Sequence, residues 1–129
     1  FNVRVATPAG YEPDAAFVAL ARAGGARITL TQDAQDAARD ADVIVTDTWV
    51  SMGMESEKEA RVKLFSGYTV DEALMEKAAP GAVFLHCLPA YRGYEVSAEV
   101  IDGPRSLVWD EAENRLHAQK ALMLWLSDK

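Results

Sequence analysis

The sequence predicts an α/β domain with a mainly parallel, Rossmann-like sheet and helices on both faces. Three observations lead there. Short β-branched runs alternate with helix-like stretches along the whole chain. The runs Val43-Ile44-Val45 and Val83-Phe84-Leu85 are continuously apolar, as strands buried on both faces are. A length of 129 residues suits one domain and leaves room for a real core.

Each element has its own local reason. Val3-Arg4-Val5-Ala6 reads as a strand closed by Thr7-Pro8-Ala9-Gly10. Pro13 is expected in the first turn of a helix, with Asp14 beside the positive end of its dipole. That helix runs from Ala15 to Ala23 and stops at Gly24-Gly25. Arg27 to Thr31 form a second strand, and Asp33 caps a short helix through Ala38. Asp42 to Thr46 form the third strand, followed by a polar loop and helix from Ser51 to Phe65. Thr69 and Glu72 make a capping box for a helix ending near Ala79. Ala82 to His86 are the fourth strand, and a Pro-, Gly- and Tyr-rich loop reaches about Glu95. A short helix follows near Ser97, then a fifth strand at Ser106-Leu107-Val108 and a final helix from about Asp110 to Leu126.

Composition narrows the function. A formal charge of −7 lacks the basic field that nucleic acid requires, so anionic ligands need local donors. No apolar run is long enough for a membrane span, and no signal-peptide pattern opens the chain. The single cysteine cannot form an internal disulfide, which fits a reducing, cytoplasmic setting. No Gly-x-Gly-x-x-Gly follows a strand, so a nicotinamide cofactor is discounted, and neither a metal cluster nor an organic cofactor is indicated. Residue 1 is Phe, which points to a start inside a longer protein.

The chemistry-bearing residues lie where strands end. Asp47-Thr48-Trp49-Val50-Ser51-Met52-Gly53 follows the third strand, and His86-Cys87-Leu88-Pro89 closes the fourth. Both should project from the carboxyl edge of the sheet, where open α/β sheets bind ligands. An isolated aspartate there ordinarily caps the next turn, and a lone cysteine is ordinarily a small buried hydrophobe. His86 and Cys87 are strand neighbours facing opposite ways, so they cannot easily share a proton. Arg115 lies four residues after Glu111, the spacing of a surface salt bridge, and His117 faces elsewhere.

Taken together, these motifs and Glu113-Asn114-Arg115 resemble the ornithine-binding half of the ornithine carbamoyltransferases. The resemblance runs nearly end to end and implies roles residue by residue. Asp47 would take the α-amino group of ornithine, while Ser51 and Met52 would hold its α-carboxylate. Gly53 could serve as a hinge. Cys87 would sit beside the reacting δ-amino group, the Leu88 carbonyl would accept a hydrogen bond from the substrates, and Pro89 would aim it. Arg115 would bind carbamoyl phosphate. The loop Ala90-Tyr91-Arg92-Gly93 departs mildly from Ala-His-Arg-Gly, the commonest bacterial pattern in the family. Trp49 and Trp109 are expected to pack loops, and the apolar run Ala121 to Leu126 to need cover from a partner domain.

The resemblance also marks gaps. The N-terminal carbamoyl-phosphate domain, with its Ser-x-Arg-Thr and His-Pro-Cys-Gln motifs, is absent from these residues. So is the first, central strand of the sheet, which would sit between the strands at Val3–Val5 and Val43–Thr46. Residues 1–129 are therefore expected to be an incomplete ornithine-binding domain that includes the last helix. The complete enzyme would use carbamoyl phosphate and L-ornithine, and family members commonly assemble as trimers or multiples of trimers. Two alternatives stay open: an inactive fragment or association module, or a sister carbamoyltransferase for another amine.

Overall fold

The computed structural model describes residues 1–50 and 55–128, and its elements follow the expected alternation. Strand β1 (Asn2–Ala6) leads to helix α1 (Ala15–Ala23). Asp14 is the cap of α1, its carboxylate accepting the Ala16 N–H at 2.7 Å. Pro13 therefore lies before the cap and outside the first turn, because Asp14 itself takes the capping place. Gly25 ends this segment at φ +87°, where a Cβ would be strained. Strand β2 (Arg27–Thr31) follows, then α2 (Ala34–Ala38), whose first N–H groups are accepted by Asp33.

Strand β3 (Val43–Thr46) precedes a 3₁₀ turn (Glu55–Glu57), α3 (Lys58–Phe65), α4 (Glu72–Met75) and β4 (Val83–His86). Two short connections lead through α5 (Ala98–Ile101) to the long α6 (Val108–Ser127).

Helix α4 corrects the sequence expectation. Its cap is Asp71, which accepts the Leu74 N–H at 2.8 Å, while the Thr69 hydroxyl donates to the Tyr94 carbonyl. Thr69 cannot cap because Val70 is held extended: its N–H donates to the Glu95 carbonyl and its own carbonyl accepts from Ser97. The helix also stops at Met75, short of Ala79. Asp40 donates to the Lys77 carbonyl and Ala79 to the Ala41 carbonyl, so the chain leaves the helical path for these partners.

The fifth strand shrinks to a single parallel bridge between Phe84 and Ser106, flanked by Phe84 N–H to Arg105 and Leu107 N–H to Phe84. Val108 already belongs to α6, which starts two residues before Asp110.

Both strand pairs are parallel. β1 runs beside β2 from Asn2↔Arg27 to Ala6↔Thr31, and β3 beside β4 from Val43↔Val83 to Thr46↔His86. Among the described residues no strand joins β1 to β3. A cavity of about 300 Å³ separates them, lined by Arg4 and Ala6 on one side and Val43 to Thr46 on the other. That is the place where the resemblance leaves a central strand missing.

The core gathers around β4. Phe84, Val96 and Val108 are fully buried and pack with Met75, Ile101 and Ile44. By contrast α6 buries only Val108, and Leu116, Leu122 and Leu126 are more than half exposed.

Candidate active site

The register of β3 and β4 builds the site. Thr46 pairs with His86, so the next residue on each strand, Asp47 and Cys87, emerges at the same carboxyl edge. The Cys87 thiol donates to Asp47 Oδ1 at 3.2 Å, and the same oxygen accepts the Thr48 N–H at 2.7 Å. Both side chains are exposed and open to a ligand. The bond to Asp47 pushes the thiol pKa up, and burial and the negative charge of Asp47 add to it, against a smaller lowering by its own backbone. Cys87 is therefore a neutral donor at pH 7, a poor nucleophile and a poor metal ligand.

Trp49 is buried just beyond. It stacks on Tyr94 with ring centroids 6.4 Å apart and meets Phe65 at 5.8 Å. Arg61 from α3 donates to the Trp49 carbonyl at 3.3 Å. The segment after Asp47 is thus anchored by packing, as expected for Trp49. Trp109, in contrast, is 62% exposed. It does not pack a loop, because α6 starts early and carries it on an uncovered face.

Strand alternation sends His86 inward, where it is buried with Glu95. His86 Nδ1 accepts the Leu88 N–H at 2.9 Å, and Nε2 lies 3.2 Å from Glu95 Oε1. That carboxylate oxygen also accepts the Tyr91 N–H at 2.6 Å. Leu88 has φ +55°, and the Leu88–Pro89 peptide is cis. Ligand atoms of Asp47, His86 and Cys87 lie within 4.8 Å of one another. Both ring nitrogens of His86 are already engaged, so the trio fits a metal poorly.

A model of the Asp/Orn-binding domain of the aspartate/ornithine carbamoyltransferases matches residues 1–126. The chain belongs to this carbamoyltransferase family. The ornithine carbamoyltransferase of Leifsonia xyli subsp. xyli is 62% identical over 99% of this chain. The chain spans 42% of that relative's length. Two solved structures agree in fold. The anabolic ornithine carbamoyltransferase of Campylobacter jejuni superposes with a TM-score of 0.90 at 43% identity, over 99% of this chain and 44% of its own. The enzyme of Pyrococcus furiosus gives 0.86 at 51% identity, over 95% of this chain and 40% of its own.

Against this carbamoyltransferase background, Asp47, Cys87 and Leu88 come together, whereas Ser51, Met52 and Gly53 lie outside the described residues. Arg115 is exposed on α6 and makes no hydrogen bond or ion pair among the described residues. The Glu111–Arg115 salt bridge considered from spacing does not form. Glu111 Oε2 instead accepts the backbone N–H of His86 at 2.9 Å, tying α6 to the end of β4. His117 pairs with Glu113 on the surface. From sequence Glu95 had no role, and Glu111 only that of a surface partner for Arg115. Their only signal was an acidic residue beside apolar ones, which is too common to single out.

Proposed function

We propose that this chain is the ornithine-binding portion of a carbamoyltransferase. The complete protein would pass the carbamoyl group of carbamoyl phosphate to the δ-amino group of L-ornithine, giving L-citrulline and phosphate. The observation that carries this reading is the Asp47–Cys87 pair, set by parallel register at the sheet edge beside the Leu88 turn. The roles follow from chemistry. The neutral δ-amine attacks the carbonyl carbon, a C–N bond forms, and the C–O bond to phosphate breaks with its electron pair leaving on phosphate. The amine nitrogen then sheds a proton.

Asp47 supplies a carboxylate for the α-ammonium group of ornithine. Ser51 and Met52 are assigned to its α-carboxylate. The Cys87 thiol and the Leu88 carbonyl bracket the reacting nitrogen and position it without a covalent intermediate. Arg115 brings a guanidinium, uncommitted among the described residues, to the phosphate and the polarised carbonyl. No step calls for a cofactor.

Citrulline formation from carbamoyl phosphate and ornithine, measured on the complete protein with aspartate as the competing acceptor, tests the proposal. Preference for aspartate would move the chain to the sister reaction, and absence of turnover with either would reject the enzyme reading. A second reading has its own support: the open cavity between β1 and β3 suits an association module when these residues stand alone.

A further inference from the structure

We infer that the neutral imidazole of His86 and the carboxylate of Glu95 form a buried clamp on the backbone of the Leu88–Tyr91 turn, and act as positioning residues with no part in carrying protons. The direction of one hydrogen bond starts the argument. A backbone N–H can only donate, so the Leu88 N–H fixes His86 Nδ1 as an acceptor without a proton. The ring proton of the neutral imidazole then sits on Nε2, which faces Glu95 Oε1. The same oxygen takes the Tyr91 N–H. Two side chains therefore hold both ends of the turn, each through an acceptor atom.

The turn needs holding. Leu88 at φ +55° occupies a region that a branched L-residue leaves unless its surroundings over-determine it. Its neighbour Cys87 and its own carbonyl are the groups assigned to the reacting nitrogen, so the kinetic half of this inference rests on the proposed reaction.

A proton relay would need a link from His86 to the thiol. Among the described residues none exists: Cys87 donates to Asp47, and neither ring nitrogen bonds to either side chain. The charged and titratable groups around His86 are Glu95 on the turn, Glu111 from α6, Asp47 after β3 and Cys87 beside it. An imidazolium would turn Nδ1 into a donor facing the Leu88 N–H, and the clamp would open.

The test has two arms on the complete carbamoyltransferase. Nitrogen-15 NMR of the imidazoles at pH 7 should place the His86 proton on Nε2. A proton on Nδ1, or on both nitrogens, overturns the inference whether or not the protein makes citrulline. In the kinetic arm, Glu95→Gln keeps an acceptor oxygen for Tyr91 and His86, so kcat/KM should stay within about five-fold of the parent, the scale of one weakened hydrogen bond. Glu95→Ala should lose about 10²-fold, the scale of a misplaced reacting group. His86→Asn places an amide oxygen near the position of Nδ1 and should exceed His86→Gln, which lacks that acceptor, by about ten-fold or more. If Glu95→Gln falls as far as Glu95→Ala, or the two His86 variants are equally inactive, the groups carry protons and the clamp is wrong. Where the alanine variant fails to fold, the glutamine variant and the NMR arm decide.

Discussion

Asp47 serves two neighbours through one oxygen, the Thr48 N–H and the Cys87 thiol, and keeps the rest of its carboxylate facing the open edge. Removing its charge should weaken ornithine binding by about 2–5 kcal/mol, the scale for one partner of a desolvated charge pair. In steady-state kinetics of the complete protein, Asp47→Asn should raise the KM for ornithine and leave carbamoyl phosphate binding nearly unchanged. An unchanged KM and kcat for ornithine would reject the assignment. The thiol makes a second prediction, with a definite sign. Because Asp47 holds the proton on Cys87, its thiolate forms only above the pH at which an ordinary cysteine ionises. Alkylation by iodoacetamide should therefore lag at neutral pH and rise at higher pH, and Asp47→Asn should move that profile to lower pH. Cys87→Ser should keep measurable turnover, whereas an obligatory nucleophile would lose nearly all of it. A trapped carbamoyl-cysteine would contradict the scheme.

Among the elements, α5 has little tolerance at its end. A Cβ at Gly103 would stand 2.3 Å from the Glu99 carbonyl oxygen, and that atom is backbone and cannot swing aside. Gly103→Ala should cost about 1–3 kcal/mol, the range for overpacking. Gly81→Ala, where a Cβ meets nothing within 4 Å, should stay within about 0.5 kcal/mol. Thermal melting of the two variants in the complete protein makes the comparison, and equal midpoints would show that α5 can shift. Strand β4 matters more. Phe84 is fully buried at the centre of the core and pairs with Ile44, so Phe84→Ala should cost about 3–5 kcal/mol. That loss would also loosen the register that holds Asp47 against Cys87.

Across the whole molecule, the open edges dominate behaviour. Among the described residues, β1 and β3 each present N–H and C=O groups without a strand partner to the cavity between them, and Val45 is 64% exposed beside it. The far end of α6 adds exposed Leu122, Met123, Leu124 and Leu126. The purified 129-residue chain should have no carbamoyltransferase activity and should associate at micromolar concentration. Sedimentation velocity checks it, and a compact, cooperatively melting monomer would show that the fold tolerates the gap.

Much of this was legible in the residues because it is local. Apolar runs and turn residues marked four strands and the main helices, Asp33 was recognisable as a cap, and strand alternation already separated His86 from Cys87. Placing Asp47 and Cys87 at strand ends needed only the hydrophobic pattern and the motifs that follow it. What needed tertiary structure depends on partners far apart in the chain. The Asp47–Cys87 contact spans 40 positions, and the Glu111–His86 bond spans 25. The α4 cap passed from Thr69 to Asp71 because Val70 is held by Glu95 and Ser97 across the fold. Glu95 became the inner partner of His86 only when the turn after Leu88 closed over it. Local propensity carries no record of such bonds, since each depends on which strand lies beside which and in what register.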